Sequence, residues 1–297
     1  MKSFLRHAVI AIVLAGVAVL IVRQQEPPPP EPPAIELRRS ASASFFEPAK
    51  RKLLFVLVIG SDVREGNPSG GRADTLQLLA INTKSGAGTI VGIPRDSYVP
   101  IPGSGTNKIN ASLFFGGPQR TVQTVERLAG VNIHYYALVE FSRFRKLVDL
   151  LGGVEVTVPY AMNDSASGAV FGPGPRKMNG AEALAFSRAR KTIPGGDFGR
   201  SANQGRLLLA ALKKFQADAE RPLSVAKYIR AFGSLVTSDV KTPELLDLVA
   251  VGRRLKPSKI RSVVLPGAGG NAGGASVVLL SGGANDIFKK IRTDAVL

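Results

Sequence analysis

The sequence predicts one domain of the α/β class, a single αβα sandwich with a mixed central sheet, preceded by an N-terminal membrane helix. Three observations support this. An uncharged apolar run follows a short basic N-terminus. The run from Leu53 to Ile59 is apolar and rich in β-branched residues, which is typical of a buried central strand. Strand patterns then alternate with helix patterns, as expected when helices cover both faces of one sheet.

Residues 1–23 have the pattern of a cytoplasmic tip followed by a signal-anchor helix. Lys2 and Arg6 precede the uncharged run from 8 to 22. The run is shorter than the roughly 20 apolar residues of a typical span, and it also fits a cleavable signal peptide. We favour an uncleaved anchor because Arg23 follows directly, without a small-x-small cleavage site. The basic tip favours a cytoplasmic N-terminus, so we expect a single-pass cell-membrane protein with an extracytoplasmic domain.

A linker is predicted for residues 24–50 and a folded domain for residues 51–297. The segment Pro27–Pro33 is almost entirely proline, which indicates an extended polyproline spacer. Residues 38–49 are rich in serine and alanine, so we expect little regular structure there. The folded domain is therefore expected to begin near Arg51.

Three strands are predicted at the start of the domain, at Leu53–Ile59, Thr75–Ile81 and Thr89–Ile93. A short turn that contains Gly86 and Gly88 separates the last two. If the three strands form a meander, the end of the first, the start of the second and the end of the third lie at one edge of the sheet.

Helices and further strands follow in alternation. The helices are marked by an initial proline, a polar cap or a terminal glycine, and the strands by apolar alternation. We predict helices at 118–129, 142–151 with Ser142 as cap, a short one opened by Asn179 and Glu182, then 200–219, 222–236 and 242–255 with Thr242 as cap, and strands at 131–141, 154–158, 260–265 and 276–280.

The charge balance indicates a polyanionic partner. The net charge is +17, which suits nucleic acid, an anionic membrane surface or a phosphorylated substrate. The chain has no cysteine, which excludes disulfides and thiolate metal sites.

A first cluster of arginines and aspartates lies at the predicted sheet edge. Asp62 follows the first strand, Asp74 precedes the second and Arg95 follows the third. Arg72 and Asp74 are two residues apart and share a face if the chain is extended. Two carboxylates with phosphate oxygens and water are a usual set of ligands for Mg²⁺, so Asp62 and Asp74 are the metal candidates. The alternative is that both are turn and surface aspartates, and Asp96 pairs with Arg95.

A second cluster contains Arg188, Arg190, Asp197, Arg200 and Gln204. Arginine binds phosphate oxygens through two parallel hydrogen bonds, so the cluster suits a phosphate ester or a pyrophosphate. On a helix Arg188 and Arg190 would point about 160° apart, so we expect the helix to end before Ser187 if both bind one ligand. Arg200 and Gln204 share a helix face, near a helix N-terminus after Gly199 that would attract an anion. The alternative is a solvated helix end.

At these residues the sequence resembles the LytR-CpsA-Psr family of bacterial cell-wall proteins. The resemblance covers roughly residues 52–212 and rests on several ordered motifs, namely LLFVLVIGSDVR, RADTLQLLAINTKSG, VGIPRDSYVPIPG, NKINASLFFGG, MNGAEALAFSRAR and GDFGRSANQ. One departure is Asn203, where arginine often precedes the glutamine in the family.

The resemblance implies an αβα sandwich whose apolar cleft takes a polyprenyl chain, with the pyrophosphate at the mouth. It implies Mg²⁺ at Asp62 and Asp74, and pyrophosphate binding by Arg72, Arg95, Arg188, Arg190, Arg200 and Gln204. The implied activity is transfer of a glycopolymer from a polyprenyl-pyrophosphate carrier to a peptidoglycan hydroxyl.

Catalysis is assigned to Arg95, with Asp96 and Asp197 as candidates for the general base. Rival hypotheses are a polyprenyl-pyrophosphate hydrolase and a non-catalytic binder of lipid-linked glycans. A nucleic-acid binder rests on charge alone, and we expect no nucleic-acid partner.

Overall fold

A mixed central sheet organises the domain. The computed structural model describes residues 51–62 and 71–297, so the anchor and linker predicted for residues 1–50 lie outside the described residues. Within these ranges the sheet has six strands, namely β1 (Leu53–Ser61), β2 (Ala73–Asn82), β3 (Ala87–Gly92), β6 (Tyr135–Glu140), β11 (Thr237–Ser238) and β12 (Ile260–Val264). Their order across the sheet is β11-β6-β1-β2-β3-β12.

The pairing of these strands confirms the predicted mixed α/β fold. β1 pairs with β2 and β2 with β3 in antiparallel fashion, whereas β6 lies parallel to β1 and β12 parallel to β3. The first three strands therefore form the predicted meander. Its second turn is stabilised by the Asn82 side chain, whose Oδ1 accepts hydrogen bonds from the N–H groups of Lys84 and Ser85, both at 3.1 Å. As a result Asp62, Asp74 and Arg95 follow or begin strands at the same edge of the sheet.

Helices cover both faces of this sheet. Phe55, Leu57 and Ile59 of β1 face a core formed with two helices, α1 (Ala111–Ala129) and α7 (Gly282–Asp294). Leu54 points to the opposite face, where it packs with α6 (Thr242–Arg254). The long helix α4 (Asp197–Asp218) packs on β2, β3 and β12. The alternating apolar residues of a single strand thus hold the layers together.

A second apolar cluster adjoins the sheet. It joins α4 to α3 (Gly180–Arg188) and to the antiparallel pair of β7 (Val154–Val158) and β10 (Gly174–Met178). The predicted capping box at α3 is confirmed, because Asn179 Oδ1 accepts the Glu182 N–H at 2.9 Å and Glu182 Oε2 accepts the Asn179 N–H at 3.0 Å. The remaining elements are α2 (Phe141–Leu150), α5 (Pro222–Leu235) and the hairpins β4 (Tyr98–Ile101)–β5 (Gly105–Lys108), β8 (Met162–Asp164)–β9 (Ala169–Phe171) and β13 (Gly267–Ala272)–β14 (Ala275–Leu280).

Several predicted boundaries were wrong. The strand predicted at 131–141 is β6, which begins at Tyr135, and α2 begins at Phe141 instead of after Ser142, because Glu140 still has extended backbone with ψ 154°. The helix predicted from Pro118 is the second part of α1, which begins at Ala111 and is interrupted at Gly116 and Gly117.

Two later helices also begin earlier than predicted. α4 begins at Asp197, three residues before Arg200, because Gly196, whose φ of 51° is not helical, occupies the cap position. α6 includes Thr242 as its first residue, so Lys241 occupies the cap position.

In the two described ranges, none of the helices combines the length and the apolarity that crossing a bilayer requires.

Candidate active site

Six of the residues predicted for the two clusters line one polar pocket of about 570 Å³ at the edge of the sheet. They come from separate parts of the chain, namely β2, the segment after β3, the end of α3 and the first turns of α4. They are Asp74, Arg95, Arg188, Arg190, Arg200 and Gln204. The structure therefore brings the two clusters together around one space.

A β-bulge places Asp74 in this pocket. Gly60 of β1 pairs with Thr75, but the next residue, Ser61, pairs with Ala73, so Asp74 is an extra residue of β2 with no partner on β1. Bulges of this kind redirect a side chain and are common next to active sites. The bulge also removes the basis for expecting Arg72 and Asp74 on one face, since the chain is not regularly extended between them.

Arg95 lies at the centre of the carboxylates. Its guanidinium donates to Asp74 Oδ1, and its Nε lies 4.0 Å from Asp197 Oδ1 and 4.0 Å from Asp96 Oδ1. Burial lowers the pKa of Arg95, but the charges of Asp74, Asp96 and Asp197 outweigh burial and raise the pKa above its ordinary value. Arg95 is therefore a fixed positive charge with a defined orientation.

The end of α3 separates Arg188 from Arg190 and turns both to the pocket. The expectation that this helix ends before Ser187 was wrong, because α3 continues to Arg188 and the break comes at Ala189, with φ −54° and ψ 129°. The break changes the direction of the chain between the two arginines. The Arg188 guanidinium lies 5.0 Å from the centre of the Phe141 ring, which holds the side chain by a cation–π contact.

Asp164, which the sequence interpretation missed, fixes the segment after this break. Its Oδ2 accepts the N–H groups of Arg190 and Lys191, each at 2.7 Å, and its Oδ1 accepts those of Ala166 and Ser167. Burial alone would raise the pKa of Asp164, but these backbone hydrogen bonds lower it below its usual value. Asp164 and Lys191 both line the pocket. The turn signal in Asn163–Gly168 was the available clue, since aspartate commonly accepts backbone N–H groups in such turns.

The first turns of α4 form the other wall. Asp197 is the first residue of the helix, and its Oδ1 pairs with Arg200, which is 6% exposed. Burial lowers the pKa of Arg200 and the Asp197 charge opposes this, so the pKa lies below its usual value. An anion here faces a helix N-terminus as well as arginines.

Gln204 lies at the boundary of the pocket, on the face of α4 that it shares with Arg200. Its Nε2 donates to the carbonyl oxygens of Asp74 and Ser187, both at 3.2 Å. Both hydrogens of the amide are thus used within the protein, and a contact with an anion would have to replace one of these bonds.

Four predicted residues do not line the pocket, namely Asp62, Arg72, Asp96 and Asp197. Asp62, at the end of β1, accepts the Arg72 N–H at 2.7 Å, and both residues are exposed. Asp96 faces Lys108, with 3.5 Å between Oδ1 and Nζ.

An apolar cleft opens onto the polar pocket. It encloses about 1030 Å³ between the atoms, part of it open to solvent, and shares Thr75, Phe141 and Gln204 with the pocket. One wall is α2, with Phe144, Leu147 and Val148, and the facing wall is α4, with Leu207, Leu208 and Ala211. Each wall is about 15 Å long, from Phe141 to Leu151 in one and from Gln204 to Lys214 in the other, at a rise of about 1.5 Å per helical residue. Sequence pattern did not separate these side chains from ordinary core residues.

The donor set of the pocket fits a hard cation that is held together with phosphate oxygens. Within residues 51–62 and 71–297 no three carboxylate or histidine side chains gather as a metal cage. Mg²⁺ commonly binds through one or two carboxylates and takes its other ligands from phosphates and water. Asp74 uses Oδ1 for Arg95, which leaves Oδ2 for such a cation.

The chain is similar in sequence and fold to proteins of one family. The profile of the LytR_cpsA_psr family matches residues 33–293. The chain is 41% identical over 194 residues to a Bacillus subtilis protein, the polyisoprenyl-teichoic acid–peptidoglycan teichoic acid transferase TagU. The aligned region covers 65% of this chain but only 60% of TagU. The chain thus spans about three fifths of the length of this curated relative.

Solved structures of similar proteins have the same fold as this chain. The crystal structure of B. subtilis TagU superposes with a TM-score of 0.64 at 31% identity, over 83% of this chain and 98% of that one. The structure of TagT bound to LI-WTA superposes with a TM-score of 0.69 at 25% identity, over 86% of this chain and 94% of that one.

Proposed function

The chain belongs to the LytR-CpsA-Psr family, and we propose that it is a phosphotransferase that moves a glycopolymer from a polyprenyl-pyrophosphate carrier to a hydroxyl of peptidoglycan. One observation supports this above all: an apolar cleft opens directly onto a pocket rich in arginine. An apolar chain ending in a pyrophosphate has this combination of surfaces. The similarity to TagU supports a wall polymer such as teichoic acid as the group that is moved.

The prenyl chain occupies the cleft between α2 and α4. Its carbons replace water along aliphatic and aromatic side chains, which stabilises the complex by about 25 cal/mol for each Å² of apolar surface buried. The chain leaves the cleft at Phe141 and Gln204, which border both spaces. The pyrophosphate is thereby positioned among the arginines.

The arginines bind the pyrophosphate and stabilise the charge that develops during transfer. Arg95, Arg188, Arg190 and Arg200 line the pocket, and the proposal includes the exposed Arg72 as a further pyrophosphate-binding residue. The acceptor hydroxyl attacks the phosphorus next to the glycan. A new P–O bond to the acceptor forms, the P–O bond within the pyrophosphate breaks, and polyprenyl phosphate leaves. Such chemistry depends on positioning and electrostatic stabilisation, so it requires no strong nucleophile of the protein.

Asp197 is the general base in this proposal. Its Oδ2 is buried and accepts no hydrogen bond from the described residues. Arg200 and Arg95 both lie within ion-pair distance of Oδ1. A hydroxyl that donates to Oδ2 would satisfy this oxygen and lose its proton to it as the new bond forms.

Mg²⁺ is the proposed cofactor, with Asp74 and Asp62 as its protein ligands. When bound, it would neutralise charge on the pyrophosphate oxygens. Asp74 is held in place by the bulge and by Arg95, whereas Asp62 is fixed through the Arg72 backbone.

The proposed location is the cell membrane, with residues 1–23 as an uncleaved single-pass anchor and the domain outside the cytoplasm. The basic tip and the uncharged run after it support this orientation. This orientation is tested by fusing to the C-terminus a reporter enzyme that is active only outside the cytoplasm. We expect the fusion to show reporter activity. Activity of a cytoplasmic reporter would contradict the proposal.

The function is tested with purified protein, a lipid-linked glycan donor and peptidoglycan oligomers. The wild type should form a glycan–peptidoglycan conjugate and release polyprenyl phosphate. Arg95→Ala should lower kcat/KM at least about a hundredfold, since it removes a charge-assisted contact made in the transition state. Arg253→Ala is the matched control, because Arg253 is an exposed arginine of α6 outside the pocket.

Undiminished transfer by the Arg95 variant would contradict the role of the pocket. Free phosphorylated glycan without conjugate would identify a hydrolase instead, and binding of the donor without turnover would identify a non-catalytic protein.

A further inference from the structure

A buried amide network underlies the polar pocket. Gln204 joins the two halves of the pocket, because its Nε2 donates to the Asp74 carbonyl on β2 and to the Ser187 carbonyl near the end of α3. Asp74 accepts from Arg95, and Ser187 directly precedes Arg188. The side chain of Gln204 therefore sets the distance between the pocket residues on β2 and those at the end of α3.

Gln77, in the middle of β2, contacts the side-chain amide of Gln204 from the sheet. Its Nε2 lies 3.0 Å from the carbonyl oxygen of Ser201, 3.2 Å from Ser201 Oγ and 3.4 Å from Gln204 Oε1, so its two hydrogens are shared among three acceptors. Gln77 is 0% exposed and does not line the polar pocket. Three of the acceptors in this network are backbone carbonyl oxygens, which require an N–H₂ group and fix the orientation of both amides.

Two glycines allow this close packing. A Cβ at Gly92 of β3 would lie 2.4 Å from Ser201 Oγ, and a Cβ at Gly205 of α4 would lie 2.1 Å from Ser262 Oγ. α4 thus lies directly on the sheet, and the amides are enclosed between the two. In such surroundings a hydrogen bond is strong and an unpaired polar group is costly.

We propose that Gln77 is a positioning residue for the transfer reaction, acting through Gln204 on the separation of the Asp74–Arg95 group from the Arg188–Arg190 group. This rests on the proposed function. Without the donor at position 77, Gln204 Oε1 loses its hydrogen-bond partner, so the amide that ties the two backbone carbonyls can shift. Displacement of a binding group by about 1 Å can cost on the order of a hundredfold in rate.

Gln77→Met tests the proposal, because methionine has a similar shape but no donor. We expect kcat to fall at least about tenfold while KM for the lipid-linked donor changes by less than about twofold, since the prenyl chain still binds in the cleft. Leu78→Met is the control, because Leu78 is equally buried but belongs to the opposite face of the sheet. Its kcat should match that of the wild type, and a wild-type kcat for Gln77→Met would overturn the proposal.

A double-mutant cycle with Gln204→Met tests whether Gln77 acts through Gln204. The double variant should be no slower than the slower single variant, because both changes remove the same tie. Losses that multiply would overturn the proposal.

Backbone hydrogen exchange distinguishes positioning from general stability and needs no substrate. In Gln77→Met the amides of Arg188–Lys191 should exchange faster while those of β1 keep their protection. Faster exchange throughout the sheet would overturn the proposal. If the wild type transfers no glycan, the proposed function fails, and this exchange measurement alone decides the role of Gln77.

Discussion

Asp197 and Asp96 were equivalent candidates for the general base in the sequence, and their surroundings separate them. Neither carboxylate lines the polar pocket, but Asp197 Oδ2 is buried and accepts no hydrogen bond from the described residues, whereas Asp96 Oδ1 lies 3.5 Å from the Lys108 ammonium. A base needs an oxygen that is free to accept the proton of the attacking hydroxyl. The contacts therefore favour Asp197.

Exchange of each aspartate for asparagine tests this distinction. Asp197→Asn should lower kcat/KM for glycan transfer about a hundredfold or more, within the usual range for loss of a general base, because the amide cannot take up a proton. Asp96→Asn should change it less than about threefold. The reverse order of effects in steady-state assays would exchange the two roles.

At the scale of single residues, the sequence identified the chemistry of the site but not its supports. Six predicted side chains line one pocket, since arginine and aspartate in motif-like spacing are visible without a structure. Asp164 was missed because its importance lies in accepting N–H groups 26 and 27 residues away. Gln77 was missed because its position on a buried strand resembles any other core position.

Two helices give the cleft its shape. α2 and α4 each contribute one apolar stripe, and the stripes face each other across the space that ends at the polar pocket. Ala211 is the small residue of the α4 stripe and is exposed, as expected where the cleft is open. The width of the cleft at this level depends on that small side chain.

A large side chain at position 211 should block the cleft. Ala211→Phe is expected to raise KM for the lipid-linked donor at least about tenfold, because the ring would occupy volume that the prenyl chain needs. Ala217→Phe is the matched control, since Ala217 is an exposed alanine of the same helix that does not line the cleft. Equal donor binding by both variants, measured with a polyprenyl phosphate, would place the prenyl chain elsewhere.

At the scale of elements, the sequence predicted correctly which segments are helices and which are strands, but it misplaced the first residue of several of them. β7 was predicted at its exact bounds, because strict alternation marks Val154–Val158. The start of α2 was misplaced because Phe141 reads as the last apolar residue of a strand, although it is the first residue of the helix. Gly116 and Gly117 hid the first part of α1, since two glycines normally indicate a turn.

The stability of the whole domain includes a histidine that is kept neutral. His134 Nδ1 accepts the Phe55 N–H at 3.0 Å, and the two rings stack with centres 5.9 Å apart. Burial, with a smaller effect of Arg51, lowers the pKa of His134 from 6.5 to about 4. Between these two values the unfolded chain binds the proton that the folded domain does not.

The free energy of unfolding should therefore decrease as pH falls from about 6.5 to 4, and it should show no such contribution from His134 above 6.5. His134→Gln, which keeps an acceptor for the Phe55 N–H, should flatten this dependence. Urea unfolding at several pH values measures it. An identical slope in both proteins would show that His134 titrates normally.

At the scale of the molecule, the local half of the site was easier to predict than the distant half. The meander follows from neighbouring strands, so the edge that unites Asp62, Asp74 and Arg95 could be derived from strand order. The approach of α4 to this edge depends on packing over more than a hundred residues, through contacts such as that of Gln77 with Ser201. No local pattern encodes such a contact.

The extra residue of β2 has a further consequence, which concerns odd and even positions. Leu76, Leu78 and Ala80 face the core under α1, and so does Ala73, although an unbroken strand would send an odd-numbered residue to the other side. Asp74 thus switches the parity of the strand. Deleting this one residue would leave a strand of regular parity with no acidic group at the mouth, whereas Asp74→Ala would remove the charge and keep the switch. Position 74 therefore determines which side of the sheet the neighbouring residues of β2 face, and it also supplies a carboxylate.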